Sequence, residues 1–170
     1  MRALTVKQPW ASLIASGLKQ IENRTYPVPK TVRGERIAIH AGKGFDSEWR
    51  NKYPCTCGDR GAVTPEFVKS ESCEPCRFAR DFLSYDQTNL IFYPGRILCT
   101  ARIVGQIHPD EEFYGRTLST VTEFVYNRHL DVDRTFYQTG AYGWILADVE
   151  LVNDPRIHRG MLGFWEVPDV

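Results

Sequence analysis

The chain has 170 residues, 42% of them hydrophobic and 25% charged, which is enough for one domain with a full core. It has no apolar run near the roughly 18 residues of a membrane span and no cationic region leading into an apolar one, so a cytoplasmic protein without membrane contact is expected. Its formal net charge of zero at pH 7 argues against nucleic-acid binding through bulk charge alone.

The first predicted elements are a strand and a short helix. The strand is expected to end at Pro9, because proline fits the start of a helix, where its missing N–H would have no partner. Trp10, Leu13 and Ile14 then recur at helical spacing and predict a helix of about two turns. Gly17 is able to take the left-handed conformation that ends such a helix.

The next predicted strand, residues 21–26, carries polar side chains on one face. Glu22 and Arg24 are two residues apart, so they project from the same side of an extended chain. Lys19 lies in the turn before this strand and is able to swing toward that side. The three residues therefore form a first candidate constellation.

The rest of the chain also reads as mostly strands. Further strands are expected at residues 36–41, 97–107, 142–152 and 164–167. Gly105 is interpreted as a bulge in the longest of these strands, and Pro109 as its end. Val121 and Phe124 lie at helical spacing and predict a helix over residues 117–130.

Residues 54–76 differ from the rest in composition. They contain Cys55, Cys57, Cys73 and Cys76, as a C-x-C and a C-x-x-C pair separated by fifteen residues. Thiolates spaced in this way are able to converge on one tetrahedral zinc, which would stabilise a segment with few aliphatic residues. Free thiols and a disulfide or redox-active pair remain as alternatives. Cys99 stands in an apolar strand and is expected in the core. Short helices are expected on either side, at 45–50 and 77–85.

The run QPWASLI, followed by GLK, IENR and RGERIAIHAGK, resembles the ASCH domain, a family similar to the PUA RNA-binding barrels. The family signature has a QPWA-type helix, a glycine and a lysine, a glutamate three residues after the lysine, and an arginine two beyond that. Segments 93–98, 142–146 and 159–165 resemble later parts of the family. The resemblance implies an α+β fold over residues 1–170, a single PUA-like antiparallel β-barrel with short flanking helices. The cysteine-rich insertion would span about 54–90.

The charge distribution and the resemblance together predict a basic cleft. Residues 1–44 carry eight Lys or Arg and two Glu, a net charge of +6. The cleft is expected to bind nucleic acid, with RNA preferred over DNA, or a nucleotide-like ligand. Lysine and arginine side chains hold phosphates or base edges, a glutamate accepts from exocyclic amino groups, and a tryptophan stacks on a base. The predicted ligand-binding residues are Lys7, Gln8, Trp10, Lys19, Glu22, Arg24, His40, Lys43 and Arg159.

Other functions remain open. Lys19 and Glu22 could transfer protons as catalytic residues if burial shifts their pKa values. Some small bacterial relatives are amidohydrolases on acetylated cytidine with a threonine nucleophile, but Glu22 stands at the threonine position here. A nuclease is a further possibility, and the acidic, aromatic region 111–142 could be a protein-interaction module.

Each candidate residue also has a purely structural interpretation. Glu22 and Arg24 could be a structural ion pair, and the basic residues ordinary surface charges. Trp10 and Trp144 could be core residues. For His40, a hydrogen-bonded strand histidine is preferred over a cleft acid or base, since no catalytic triad is readable around it.

Overall fold

The computed structural model describes residues 1–47, 93–113, 116–125 and 132–168. The four cysteines of the predicted insertion, the predicted helix at 77–85 and the second half of the one at 45–50 lie outside the described residues. The elements in chain order are β1 (Arg2–Gln8), α1 (Trp10–Ala15), β2 (Ile21–Arg24), a short 3₁₀ turn (Lys30–Val32), β3 (Arg36–Phe45), β4 (Ile97–Phe113), β5 (Arg116–Glu123), β6 (Tyr142–Leu151) and β7 (Phe164–Glu166).

The seven strands form one sheet in the order β2-β6-β4-β3-β1-β7, and β5 pairs with β4. The β-rich fold predicted from the sequence is confirmed. The predicted closed, purely antiparallel barrel is wrong for the described residues, since the strand path is open between β2 and β7 and β1 pairs with β3 in parallel. The parallel pairing follows from the long connection through α1 and β2, which returns the chain to the side of β1 in the same direction.

The sheet curves around α1, which contacts β1, β3, β4 and β6. Residues 11–15 of the helix are all buried, and this packing stabilises a helix of only six residues. The main core alternates along the strands as the sequence predicts, with Leu4, Val6, Ile37 and Ile39 facing α1. Cys99 is buried in the same core, as expected, and burial raises the pKa of its thiol to about 12.

Both ends of α1 are held by local hydrogen bonds. At the start, Gln8 Oε1 accepts from the Ser12 N–H at 3.3 Å and from the Ser12 hydroxyl at 2.9 Å. At the end, Gly17 has a φ of +78°, the left-handed conformation predicted for it, and its N–H donates to Ile14 O at 2.9 Å. The Gln8 side chain therefore has a structural role in fixing α1 to β1.

The predicted helix over 117–130 is wrong for its described part, residues 117–125. Residues 116–123 form β5, which pairs with β4 in an antiparallel ladder from Gly105 to Phe113. The segment RTLSTVTE is rich in the β-branched residues threonine and valine, which favour a strand once a partner strand is available. Val121, one of the two residues used to predict the helix, is exposed.

The longest strand extends beyond its predicted end. Pro109 lies within β4, opposite Ser119 of β5. The pairing of β4 with β6 stops at Ile107, so Pro109 sits where the ladder has one partner strand and its missing N–H is tolerated. The predicted bulge is confirmed by the shift in register between Ile103 and Gly105.

Candidate functional site

Three side chains from the β2 region meet in one cluster. Lys19 Nζ lies 3.4 Å from Glu22 Oε2, and Arg24 Nη2 lies 3.0 Å from Glu22 Oε1. The turn before β2 brings Lys19 to the side of the strand from which Glu22 and Arg24 project. The sequence predicted this convergence from the spacing of the residues. We call these residues the Lys19–Glu22–Arg24 cluster.

The cluster is largely removed from solvent. The side chain of Lys19 is 2% exposed and that of Glu22 is 9% exposed, whereas Arg24 is 21% exposed. The Trp10 ring lies over Lys19, with Nζ 5.6 Å from the ring centroid, and the ammonium also donates to Ile21 O. Burial lowers the pKa of Lys19 from its ordinary value, opposed by the attraction of the Glu22 carboxylate. Lys19 is therefore held in place rather than free to swing.

A second indole ring borders the cluster at Arg24. Trp144 on β6 is the register partner of Glu22, and Arg24 Cζ lies 5.6 Å from the Trp144 ring centroid. Trp144 is fully buried, and it stacks on Phe164 with centroids 5.8 Å apart and ring planes 4° from parallel. Its Nε1 donates to Tyr26 O at 3.1 Å. Trp144 is therefore a core residue that also borders the cluster.

Arg24 also connects the two sides of the open sheet. The ladder between β1 and β7 ends where Leu4 pairs with Phe164. The carbonyl of the next residue, Thr5, accepts from Arg24 Nη2 at 3.3 Å, so the guanidinium takes the place of a further β7 residue. No sequence pattern indicates this role of Thr5, because a threonine in a strand is ordinary.

Two buried donors near this connection have no hydrogen-bond partner among the described residues. They are Arg24 Nε and Gln8 Nε2. The Gln8 side chain is fixed in orientation, since its oxygen is used by Ser12 in α1. Buried donors without partners are rare in folded proteins, and each calls for an explanation such as an ordered water or a ligand.

His40 lies on the other side of Thr5. Its Nε2–H donates to His158 O at 3.2 Å, its Nδ1 has no hydrogen-bond partner in the described part of the chain, and its ring packs edge-on against Trp165 at 5.4 Å. Burial lowers the pKa of His40, which favours the neutral ring. The preferred interpretation, a strand histidine satisfied by hydrogen bonds, holds for one of its two nitrogens. His40 shares no hydrogen bond with the cluster, and Thr5 is the residue between them.

The remaining predicted residues are at the surface. Lys7 is exposed and pairs with Asp46, with Nζ 3.8 Å from Oδ2. Lys43 and Arg159 are exposed as well, and a methylene of Lys43 lies over Gly95. In the described part of the chain, none of the three forms an ion pair with the cluster. An open depression of about 390 Å³ lies at the other end of β1 and contains none of the predicted residues.

The described contacts do not test the predicted zinc site, because its ligands lie outside the described residues. These ligands are Cys55, Cys57, Cys73 and Cys76. Within the described ranges, no three His, Cys, Asp or Glu side chains come together as a metal site would require. Nor do those ranges contain a helix with the length and apolar character needed to cross a membrane.

A β-rich sheet packed around one short helix, with a buried cluster of charged side chains beside it, is consistent with the PUA-like class of domains. The sequence profile of the ASCH domain matches residues 4–155, which is most of the chain. The chain therefore belongs to the ASCH domain family, a PUA-like family generally linked to RNA binding. A search of curated proteins found no match to it.

Proposed function

We propose that the protein binds RNA, or a nucleotide-like ligand, by holding one unstacked base against the Lys19–Glu22–Arg24 cluster. The observation that carries the proposal is the convergence of two cations and a carboxylate between the rings of Trp10 and Trp144. The general link of the family to RNA supports the choice of ligand.

Burial decides which part of the RNA this cluster suits. A phosphate keeps much of its hydration when it binds at a surface, and Lys19 is too deeply buried to meet it there. A single base presents carbonyl oxygens and ring nitrogens as acceptors, which suit the guanidinium of Arg24, whose side chain is the most exposed of the cluster. Trp10 is half-buried over Lys19 and offers an aromatic face for stacking.

Each residue then has a distinct role in the proposal. Arg24, the most exposed of the three charged residues, contacts the base edge. Glu22 positions Arg24 through the 3.0 Å ion pair, and Lys19 balances the remaining charge of Glu22. The exposed cations Lys7 and Lys43 are left for the phosphates.

The test is equilibrium binding of single-stranded RNA to Arg24→Gln and Lys19→Met proteins. Arg24→Gln removes the proposed base contact and Lys19→Met disturbs it through Glu22, so both should weaken binding by about 1–3 kcal/mol, which is roughly 5- to 150-fold, and relax base preference. The salt dependence should change little, because no phosphate contact is removed. Lys30→Gln, which removes an exposed cation on the 3₁₀ turn, is the matched control and should bind like the wild type. Unchanged affinity of both cluster variants, with folding verified by circular dichroism, would overturn the proposal.

A hydrolase is the second candidate function, and one observation favours it. The lowered pKa of Lys19 increases the fraction of neutral amine, which is the form that acts as a base or nucleophile. The assay is turnover of acetylated cytidine and other modified nucleosides. If Glu22 is a general base, Glu22→Gln loses most of the turnover, whereas a binding module loses little affinity. Absence of turnover by the wild type would reject this candidate for those substrates.

A further inference from the structure

The connection between β6 and β7, residues 152–163, is exposed and yet firmly anchored. We call it the β6–β7 loop. Its first half is fixed to the turn before β4: His158 N–H donates to Gly95 O at 2.8 Å, and Ile157 forms an antiparallel bridge with Arg96. The Arg96 guanidinium also donates to Pro155 O. Lys43 packs its methylenes over Gly95 and so lies beside this anchor.

The second half of the loop lies against the residues that border the cluster. A Cβ on Gly160 would lie 2.5 Å from His40 Cε1 and 3.0 Å from Thr5 Oγ1, so the loop backbone rests directly on these two side chains. The loop ends at Phe164, which stacks on Trp144, the ring beneath Arg24. The loop therefore runs from Lys43 to Arg24 along one side of the cluster.

This anchored loop turns its large side chains outward. Leu162 is fully exposed, Ile157 and Met161 are more than half exposed, and Arg159 is exposed between them. Within the described residues, Arg159 forms no ion pair. The backbone contacts already hold the loop in place, so the three exposed aliphatic side chains do not contribute to its folding. Exposed apolar side chains grouped with free cations are typical of an interaction surface.

The position of the loop indicates which partner it would contact. Thr5 accepts from Arg24 through its carbonyl, and its side chain touches the Gly160 position, so the second half of the loop comes within about 10 Å of the cluster. A free nucleotide at Arg24 would reach no farther than the near edge of the loop, at Gly160. A single RNA strand continues for about 3.4 Å or more with each nucleotide and would cross it within a few units.

We propose that the β6–β7 loop is a second contact surface for the same RNA, with Arg159 and Lys43 on phosphates and Met161 and Leu162 against the neighbouring bases. This inference rests on the proposed function and deepens it, since it makes the ligand a single strand of several nucleotides rather than a free nucleotide. Each nucleotide of such a strand offers a base face to an aliphatic side chain and a phosphate to a cation.

The experiment is a length series with homopolymeric RNA of each base, from the mononucleotide to about a dozen nucleotides. Wild-type affinity should rise with length over the first few nucleotides and then level off. Arg159→Gln should reduce the affinity for long RNA by about fivefold near 0.1 M salt and lower the salt slope by about 0.7, the value for one phosphate contact on a single strand. A Met161→Ser, Leu162→Ser double variant should weaken binding by about three- to tenfold without changing that slope. Lys30→Gln again serves as the matched control.

The outcomes separate this inference from the proposed function. Affinity that does not depend on length, or loop variants that bind long RNA like the wild type, would overturn the loop contact while Arg24→Gln still weakens the mononucleotide. Loop variants that weaken the mononucleotide as much as the longest RNA would also overturn it. Capture by phosphatidylserine vesicles through Leu162, with no loop effect on RNA, would make the surface a membrane contact instead. No RNA or nucleotide binding by the wild type would remove both proposals.

Discussion

Replacing Glu22 with glutamine removes the negative charge that pairs with both Lys19 and Arg24. The amide has nearly the same size, so the change is electrostatic rather than steric. Lys19 is 2% exposed and cannot regain water when its partner loses charge. Breaking a buried ion pair on one side costs about 3–5 kcal/mol, and we expect a loss of stability in that range near pH 7.

The cost should fall as the pH rises through the interval between the Lys19 pKa of the variant and that of the wild type. The pKa of Lys19 is lowered in the folded protein, so between that value and about 10.5 the unfolded chain binds more protons and stability increases with pH. In Glu22→Gln the attraction that opposes this shift is lost, so Lys19 becomes neutral at a still lower pH. Once Lys19 is neutral, the remaining loss is the hydrogen bond to Arg24, worth about 1.5–3 kcal/mol.

The assay is urea unfolding followed by tryptophan fluorescence, for wild type and variant, near pH 7 and near pH 9.5. Other groups titrate equally in both proteins, so the difference between them isolates Lys19. Glu35→Gln, at an exposed carboxylate, is the matched control and should cost less than about 0.5 kcal/mol at either pH. A cost below about 1 kcal/mol near neutral pH, or one that increases with pH, would refute the reasoning.

Three further predictions follow from the same contacts and from the sequence. Gly160→Ala should destabilise the protein by about 1–3 kcal/mol in urea unfolding, because its Cβ overlaps the His40 ring, whereas Gly44→Ala, with open space around it, should cost little; equal effects would contradict this. Lys19→Met should abolish the rise of stability with alkaline pH that we attribute to the buried ammonium, and an unchanged pH profile would place that rise elsewhere. Metal analysis of protein prepared without chelator should find about one zinc per chain in the wild type and none in Cys73→Ser. Wild-type protein without metal would mean that the thiols are free or oxidised.

The sequence was sufficient where a local pattern decides the outcome. Alternation along β2 placed Glu22 and Arg24 on one side, and the turn before it supplied Lys19. Alternation along β3 also separated the core residues Ile37 and Ile39 from the opposite face. In each case the period of the strand fixes the direction of the side chain, whatever the strand pairs with.

The sequence was insufficient where partners far along the chain decide the outcome. The segment containing Val121 and Phe124 matched a helical spacing, but β4 supplied a neighbouring strand and the segment paired with it. The parallel pairing of β1 with β3 depends on how the intervening chain returns, which no local pattern shows. The burial of Lys19 depends on Trp10 closing over it, and spacing alone could not reveal that.

The burial of Lys19 also reduces how much of the net positive charge of residues 1–44 acts at the protein surface. Two of the eight cations of this segment, Lys19 and Arg24, share the charge of Glu22 and are partly or wholly enclosed, so they add little to the potential that a polyanion meets at the surface. Exposed cations such as Lys43 would then attract the RNA, and the cluster would select the base. The two properties should therefore separate in mutants: surface variants should change the salt dependence of binding, and cluster variants should change base preference.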